Sequence, residues 1–479
     1  MPRQYTSEEG TKAFQNNVVN IRALRGSSFP YIFIWILYYA WVVAFTTWWT
    51  ASPATELVFG SGLRSMLHSI NLISSAVFIF IIRKNWFVKS SRIGALLILA
   101  GMSIFLLVPK GTVQLYSIIA IGITLGIVNI SILIPFIFAL NNTEKFYSVV
   151  LANMLINLLM LVQGGLYPVH TLGSKERLIS LVLLIIPLCA TLFFRSSSLS
   201  EGKQPEESRE MKPRVYLTLL YNCANAVLCK GVGKGVLDIT AGMQGTSIYQ
   251  WYYVGGLIGC LLYIGVYALS AKAVIWLSNI TFSCIAMGLF CNAFVPSIPS
   301  MAYVFAILLG MGCTIGMINV YYILAVVGKK YNSMRYLRLS ILLIGVCGGV
   351  TGVITGNMIN KINSDQISVI SSLIAAAFML IFLVLSPFLS HAQYFEDWVK
   401  DSGKMEIDYG KDALFQRYHL TKREIEVCKL LLEGYTLRQI AAILSIAYST
   451  VNTYCTSSYR KLNINSKTEL IMLFKDYVK

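Results

Sequence analysis

Apolar runs recur along the chain from Phe29 to Leu389, separated by short polar segments. Each run has about 20 residues, enough for a helix to cross the ~30 Å hydrocarbon core of a bilayer. In lipid a helix also satisfies its own backbone hydrogen bonds. The pattern therefore predicts an all-α protein with twelve transmembrane helices. The predicted spans are 29–50, 65–82, 93–109, 113–139, 147–168, 178–195, 215–237, 248–270, 273–295, 301–327, 337–357 and 367–389.

Polar segments divide the chain into domains. A charged, serine-rich stretch at 196–214 interrupts the apolar pattern after the sixth run and predicts an exposed linker. The chain also changes character after the last run, where charged residues return and no long apolar run follows. The predicted domains are an N-terminal segment (1–28), a first six-helix repeat (29–195), a central linker (196–214), a second six-helix repeat (215–389), a further linker (390–413) and a small soluble domain (414–479).

Two spans share the pattern G-xxx-G-xx-N, offset by 190 residues. The pattern falls on Gly122, Gly126 and Asn129 in the fourth span and on Gly312, Gly316 and Asn319 in the tenth. The same offset moves the fifth and sixth predicted spans onto the eleventh and twelfth. These matches indicate an internal duplication in which two six-helix repeats run parallel.

Parallel six-helix repeats joined by a polar central loop resemble the major facilitator superfamily. The resemblance implies a ligand site between the two repeats, near the middle of the membrane. One departure stands in the loop between the second and third spans, where this chain has RKNWFVKSSR (Arg83 to Arg92) in place of the superfamily's usual motif. That departure counts against ordinary transport more than against the fold.

Basic residues set the orientation. The chain carries a formal net charge of +17, although only 13% of its residues are charged. Nineteen Lys and Arg lie in segments on the side of the N-terminus, and six lie on the opposite side. The positive-inside rule therefore predicts that both termini, the central linker and the C-terminal domain are cytoplasmic.

The last 66 residues have the pattern of a small helical domain. Thr421 to Glu424 and Ser466 to Glu469 are capping boxes, which predict the starts of two helices. Between them lie a short helix and a third helix beginning near Ser449, which has one apolar and one hydroxyl-rich face. Two helices, a tight turn and a polar-faced helix are typical of a helix-turn-helix, in which the last helix enters the major groove of DNA.

The stretch from Leu420 to Ile471 resembles the LuxR-type helix-turn-helix of bacterial regulators. The family's LTxRExEV opening falls on Leu420 to Val427, its EG turn on Glu433 and Gly434, its TV on Thr450 and Val451, its RKL on Arg460 to Leu462 and its S-x-TEL on Ser466 to Leu470. About fifty residues match without a gap. The resemblance implies a four-helix domain that binds double-stranded DNA, as a homodimer, at the cytoplasmic membrane of a bacterium.

The resemblance also assigns candidate DNA contacts. By position, Asn452, Thr453 and Thr456 face bases, and Thr450 and Lys461 lie near phosphates. Ser449 and Arg460 complete the polar face of the same helix. The family usually has Lys at the position of Asn452, His at that of Tyr454 and Ser at that of Ala447. Loss of a Lys removes one contact that releases counterions, so we expect weak non-specific binding that dimerisation strengthens.

Two hypotheses remain for the membrane part. It senses a small molecule, with organic anions as one candidate class, or it transports a solute and carries a fused regulator. No Asp or Glu falls inside a predicted span, which argues against proton coupling. The candidate ligand contacts are Lys230, Asn129, Asn225 and Asn319. Lys230 can instead extend to the membrane interface, and the asparagines can instead join helices through hydrogen bonds.

No motif for catalysis, metal binding or cofactor binding stands out. The four histidines are scattered, and the ten cysteines show no CxxC spacing. No P-loop or nucleophile–base arrangement is present in the sequence. We therefore predict a protein that is not an enzyme and binds no metal or cofactor, with cysteines that serve as small buried side chains.

Overall fold

The computed structural model divides the chain into two compact units, Met1–Tyr394 and Phe395–Lys479. The described residues are 24–50, 63–107, 112–162, 182, 184–195, 216–269, 274–359, 361, 366, 368–377, 380, 418, 420–432, 435–444, 446–464 and 466–473. Within these ranges every regular element is helical.

The first unit is a bundle of membrane helices. Its helices are α1 (Phe29–Thr50), α2 (Leu63–Ile81), α3 (Phe87–Leu107), α4 (Thr112–Phe138), α5 (Asn142–Val162), α6 (Leu184–Phe193), α7 (Leu217–Val227), α8 (Lys234–Gln244), α9 (Ile248–Leu269), α10 (Val274–Asn292), α11 (Met301–Lys330), α12 (Met334–Ser340), α13 (Thr351–Ile359) and α14 (Ser368–Ala377). We call α1–α6 the first half and α7–α14 the second half.

Seven of the described helices are long and apolar enough to cross a membrane, which makes this a multi-pass membrane protein. Each predicted span overlaps a described helix. Parts of the sixth and twelfth spans, residues 163–168 of the fifth, and one or two terminal residues of the third, seventh, eighth and ninth lie outside the described residues. The exact number of twelve therefore stays a prediction.

Two of the predicted spans are interrupted by π-helical turns. Leu228–Gly233 joins α7 to α8, and Ile341–Val350 joins α12 to α13. Each wide turn packs against the neighbouring interrupted helix at glycines. A Cβ on Gly231 would lie 2.5 Å from the carbonyl oxygen of Gly352, so the two backbones touch directly. An apolar run carries no sign of such a turn, because the run stays apolar whether or not the helix widens.

The two copies of the duplicated motif bind different neighbours. In the first half, Gly126 lets α4 approach Ser74 of α2, and the Asn129 amide donates to Asn71 Oδ1 at 2.9 Å. In the second half, Gly316 of α11 lies against the Asn225 amide of α7, and Asn319 Oδ1 accepts from the Tyr263 hydroxyl of α9 at 2.7 Å. The α4–α2 contact thus has a counterpart between α11 and α9. Within each half, small residues and buried amides hold neighbouring helices together, as is usual for helices in lipid.

The described part of the second unit contains four short helices. They are α15 (Lys422–Leu432), α16 (Leu437–Leu444), α17 (Tyr448–Leu462) and α18 (Lys467–Leu473). Their apolar core is Leu420, Val427, Cys428, Leu431, Leu432, Ile440, Val451, Cys455, Leu462 and Leu470. The predicted four-helix domain is confirmed. α17 ends at Asn463, which takes the left-handed conformation (φ 55°) that stops a helix.

Both predicted capping boxes form. The Thr421 amide donates to Glu424 Oε2 at 2.6 Å, and the Glu469 amide donates to Ser466 Oγ at 3.2 Å. A third box begins α16, where the Thr436 amide donates to Gln439 Oε1 at 2.9 Å. Each box satisfies amides that the first turn of a helix leaves without partners. The boxes fix where α15, α16 and α18 begin.

Candidate functional sites

An exposed polar stripe runs along α17. We define the polar stripe as Ser449, Asn452, Thr453, Thr456 and Arg460, all of which are exposed. These positions recur every three or four residues, so they share one side of the helix. The opposite side carries Val451, Cys455 and Leu462, which are buried in the core of the domain. The core therefore presents the polar stripe to solvent.

Thr450 and Lys461, the two predicted phosphate contacts, lie on the flank of α17 and are only half-exposed. Lys461 Nζ donates to Glu424 Oε2 at 2.7 Å, and the Ser457 hydroxyl donates to Glu424 Oε1 at 2.6 Å. The carboxylate belongs to α15 and is only 5% exposed. Lys461 thus ties α17 to α15, a role that sequence reasoning missed.

Several donors converge on the Glu424 carboxylate. Burial alone would raise its pKa, but hydrogen bonds from Lys461, Ser457 and Thr421 outweigh burial and lower the pKa to about 2. The group is therefore charged at neutral pH. One carboxylate both caps α15 and clamps α17, so the orientation of the polar stripe is fixed before any DNA binds.

Hydrogen bonding within the polar stripe decides which donors, acceptors and methyl groups each side chain has available for contacts with DNA. The Thr453 hydroxyl donates to the Ser449 carbonyl at 2.9 Å, which leaves its methyl group and its acceptor lone pairs. No described residue hydrogen-bonds to the side-chain amide of Asn452. Tyr448, one turn before Asn452, is 51% exposed at the start of α17 and was not predicted as a contact. Its only signal in the sequence is its place in the first turn of the recognition helix.

In the membrane unit, Lys145 is fully buried, and no carboxylate among the described residues is bound to it. It lies in the first turn of α5, and its Nζ donates to the carbonyl of Ala325 in α11 at 2.8 Å. The bond therefore joins the two halves. Sequence reasoning counted Lys145 as a loop cation, because the polar residues around it hide the fact that it is covered.

Three further bonds join the halves at the same end of the bundle, where α1 begins and α4 ends. Lys329 donates to the Leu140 carbonyl at 2.7 Å, Lys84 donates to Asn332 Oδ1 at 2.6 Å, and Arg338 donates to the Ile79 carbonyl at 3.3 Å. We call these three bonds and the Lys145–Ala325 bond the latch. In three of the four bonds a cation binds a carbonyl near a helix C-terminus, where the helix dipole favours positive charge.

The start of α5 is held by an ion pair beside the latch. Glu144 is fully buried and pairs with Arg25 at 3.0 Å. It also accepts from the Asn141 amide at 2.8 Å, while the Glu144 amide donates to Asn141 Oδ1 at 2.7 Å. Arg25 reaches the Ala139 carbonyl at 2.7 Å as well. The segment that carries Lys145 is thereby fixed in position.

The structure separates the predicted ligand contacts. The side chain of Lys230 lies outside the described residues, in the π turn after α7. Asn129 is in the first half, whereas Asn225 and Asn319 are in the second half. Asn225 of α7 faces Gly316 of α11, and Asn319 of α11 binds Tyr263 of α9. Among the described residues, the Nδ2 atoms of Asn225 and Asn319 and both amide atoms of Asn222 are buried without a partner. No group of three or more possible metal ligands occurs in the described part of the chain.

Comparison with known proteins identifies the second unit. The family described as bacterial regulatory proteins, luxR family (GerE), matches residues 418–474. Over 70 residues the chain is 33% identical to the transcriptional regulatory protein DegU of Brevibacillus brevis, a stretch covering 15% of this chain and 28% of that protein. The predicted LuxR-type helix-turn-helix is confirmed, while the chain spans less than a third of that relative.

The first unit is similar to solved transporters. The E. coli fucose:proton symporter is 15% identical with a TM-score of 0.50, and the match covers 77% of this chain and 100% of that one. A POT family transporter in complex with a thioalcohol-conjugated peptide is also 15% identical with a TM-score of 0.50, covering 76% and 96%. A structure described as a Major Facilitator Superfamily transporter has a TM-score of 0.48 at 14% identity, covering 77% and 100%. The predicted major-facilitator-like fold is confirmed, and identity at this level shows the fold alone.

Proposed function

Since the chain joins a LuxR-type helix-turn-helix domain to a major-facilitator-like membrane unit, we propose that it is a one-component transcription regulator anchored in the bacterial cytoplasmic membrane. The membrane unit senses a small molecule, and the C-terminal domain binds promoter DNA in the cytoplasm. Both termini lie on the cytoplasmic side, where the basic segments are concentrated. The protein acts as a homodimer on adjacent half-sites.

The polar stripe is the observation that supports DNA binding. Its five side chains are exposed on one side of α17, and the bonds of Glu424 to Lys461 and Ser457 hold that helix in place. A recognition helix that is oriented in advance loses little entropy when it enters the major groove. The polar stripe supplies an amide, hydroxyls and one guanidinium group, which are base and phosphate contacts.

The latch supports a switching role for the membrane unit. Its four bonds lie at one end of the bundle, and with the proposed orientation that end faces the cytoplasm. A ligand bound between the halves shifts their arrangement only if it binds one arrangement more tightly than the other. Opening the latch separates Lys145 from Ala325 and Lys329 from Leu140, and the movement changes the presentation of the DNA-binding domain.

Promoter occupancy tests the DNA-binding proposal. Chromatin immunoprecipitation compares full-length wild type with Asn452→Ala and Thr456→Ala variants expressed at equal levels. We expect each variant to lose most of its promoter occupancy, since each loses a base contact. Thr468→Ala, at an exposed position of α18, is the matched control and keeps wild-type occupancy. Unchanged occupancy in both stripe variants would contradict the assignment of base-reading residues.

Truncation separates a sensor from a transporter. A panel of small organic acids is first screened for compounds that raise the melting temperature of the purified full-length protein. Uptake of a labelled stabilising compound is then measured in cells that express the full chain, the chain without 414–479, or neither. A pure sensor gives background uptake in all three. Uptake above background by both proteins would show a transporter that carries a regulator.

Latch variants test how the signal is passed on. Lys145→Met and Lys329→Met each remove one bond between the halves, and we expect either to change reporter transcription in the absence of ligand. Lys361→Met, which removes an exposed cation predicted on the opposite side, is the control. Reporter output identical to wild type in both latch variants, with normal membrane insertion, would rule out the latch as the switch.

A further inference from the structure

The exposed surface of α17 has a specific chemical character that extends the proposed function. Asn452 presents a side-chain amide, Thr453 and Thr456 present methyl groups, and Tyr448 presents an aromatic ring. Arg460, at the far end, is the single cation in the polar stripe. We propose that this helix reads A·T base pairs in its operator half-site and that Tyr448 is a specificity-determining residue. The inference rests on DNA binding by α17.

Asn452 supplies the adenine contact. An Asn amide has one donor and one acceptor, which match the N7 acceptor and N6 donor that adenine presents in the major groove. Guanine presents two acceptors there and suits Arg or Lys instead. Because no described residue hydrogen-bonds to the side-chain amide of Asn452, its donor and its acceptor are both available to a base.

The threonines supply thymine contacts. The Thr453 hydroxyl donates to the Ser449 carbonyl, so Thr453 offers a base its methyl group and its acceptor lone pairs, of which the methyl group suits thymine. Thr456 lies one turn beyond Asn452, about 6 Å further along the helix. That distance corresponds to about two base-pair steps of ~3.4 Å. Asn452 and Thr456 therefore reach different base pairs, and both favour A·T, since thymine carries a methyl group at the groove edge.

Tyr448 extends the same surface toward the start of the helix. The N-terminal residues of a recognition helix are the ones that contact base edges. The ring is half-exposed and lies one turn from Asn452, so it gives an apolar contact to a thymine methyl group beside the adenine that Asn452 reads. A base contact of this kind contributes to specificity without neutralising a phosphate, and it leaves the salt dependence of binding unchanged.

The charge distribution predicts a shallow salt dependence. The polar stripe contains Arg460 alone, and Lys461 is bound to Glu424 on the flank. Each phosphate contact by Lys or Arg adds about 0.9 to the slope of log affinity against log salt. Recognition by α17 therefore depends on amide and methyl contacts more than on counterion release.

Selection from a randomised duplex library tests the inference. Full-length protein in nanodiscs is used to enrich duplexes at low salt, and the affinity for the enriched duplex is then measured across salt concentrations. We expect enriched half-sites with A·T pairs about two steps apart. Tyr448→Ala is expected to relax the preference at one flanking position and to leave the salt slope unchanged.

Asn452→Lys is the sharpest variant, because it changes both readouts. We expect the preference at that position to move from adenine to guanine and the salt slope to rise by about 1 per domain. Thr468→Lys adds the same charge on α18 and is the matched control, for which the enriched sequence stays that of wild type. Since both substitutions are at exposed positions, the variants are expected to fold.

Two results would overturn the inference. One is a wild-type half-site in which G·C pairs dominate the positions that change in the Asn452 variant. The other is an Asn452→Lys protein whose enriched sequence and salt slope equal those of wild type. Absence of any DNA binding at low salt would instead refute the proposed function, so the two failures are distinguishable.

Discussion

At residue 424 a single carboxylate serves two helices. Glu424 caps α15 through Thr421 and accepts from Lys461 and Ser457 of α17. The capping bond is local and is visible in the sequence as a T-x-x-E pattern. The pairing with Lys461 spans 37 residues, and no periodic pattern connects the two positions. Such a tertiary pairing is why sequence reasoning missed the bond of Lys461 to a carboxylate, while its contact with a phosphate stays a prediction.

Glu424→Gln is expected to weaken the clamp without abolishing the cap. Gln serves at the third position of a capping box, but it carries no charge for Lys461. We expect the free energy of opening of α15 and α17 to fall by about 1–3 kcal/mol, as measured by hydrogen exchange on the full-length protein in detergent. Glu426→Gln alters a pair that is half-exposed on both sides and should change protection by less than about 0.5 kcal/mol. Equal effects of the two variants would contradict the clamp.

The same carboxylate predicts an acid-sensitive domain. Its pKa in the folded state, about 2, lies below the ordinary value of 4.5, so its contribution is fully present above pH 4.5 and is lost as the pH falls toward 2. The contribution amounts to about 3 kcal/mol. Hydrogen exchange of α15 and α17, corrected for its intrinsic pH dependence, should show this loss in wild type. The Glu424→Gln protein should lose much less over the same range.

At the scale of the element, glycine positions decide how closely helices pack. Gly316→Ala would place a Cβ 2.5 Å from the Asn225 Oδ1 atom, between α11 and α7. Because overpacking forces neighbours apart, we expect a loss of about 1–3 kcal/mol, measured as a lower melting temperature of the detergent-solubilised protein.

Gly242→Ala is the control for the same measurement. A Cβ at Gly242 in α8 meets nothing within 4 Å, so alanine there should be neutral or slightly stabilising through its higher helix propensity. A melting temperature unchanged by Gly316→Ala would contradict tight packing of α7 against α11 at Gly316.

The apolar pattern predicts where helices run, but not how they are wound or paired. The predicted spans overlap described helices because the bilayer sets the length and the apolar character that a spanning helix must have, and both can be seen in the sequence. The π turns at Leu228–Gly233 and Ile341–Val350 depend on contacts with the neighbouring helix, which hydropathy does not record. The G-xxx-G-xx-N repeat likewise predicts two equivalent sites of close packing. It does not predict that Asn129 binds an asparagine while Asn319 binds a tyrosine.

Of the candidate sites, one was predictable from the sequence and the other was not. The polar face of α17 follows from helical spacing, so its five exposed residues were predictable once the helix was recognised. The latch was not, because Lys145 meets Ala325 across 180 positions and Lys84 meets Asn332 across 248. Pairings between halves come from the way the halves pack, and a cation in a polar segment looks the same whether it is covered or solvated.

At the scale of the whole molecule, the proposed orientation can be tested with single cysteines. Asn332→Cys lies in the turn between α11 and α12 and removes the Lys84–Asn332 bond of the latch, whereas Ser297→Cys lies in the turn between α10 and α11. Both residues are exposed. We expect a membrane-impermeant thiol reagent to label Ser297→Cys in intact cells, and to label Asn332→Cys only after permeabilisation. The wild-type chain, with its exposed Cys189 and Cys347, gives the background. The reverse pattern would place the C-terminal domain outside the cytoplasm.

The single arginine of the polar stripe has a kinetic consequence. A regulator anchored in the membrane meets whatever chromosomal segment passes close to it, and most of those segments are the wrong sequence. Because Lys461 is bound to Glu424, α17 has little positive charge to attract the phosphates of these segments. We therefore expect its dwell time on them to be short. A short dwell time lets the anchored protein sample many DNA segments without tethering the chromosome to the membrane at non-specific sites.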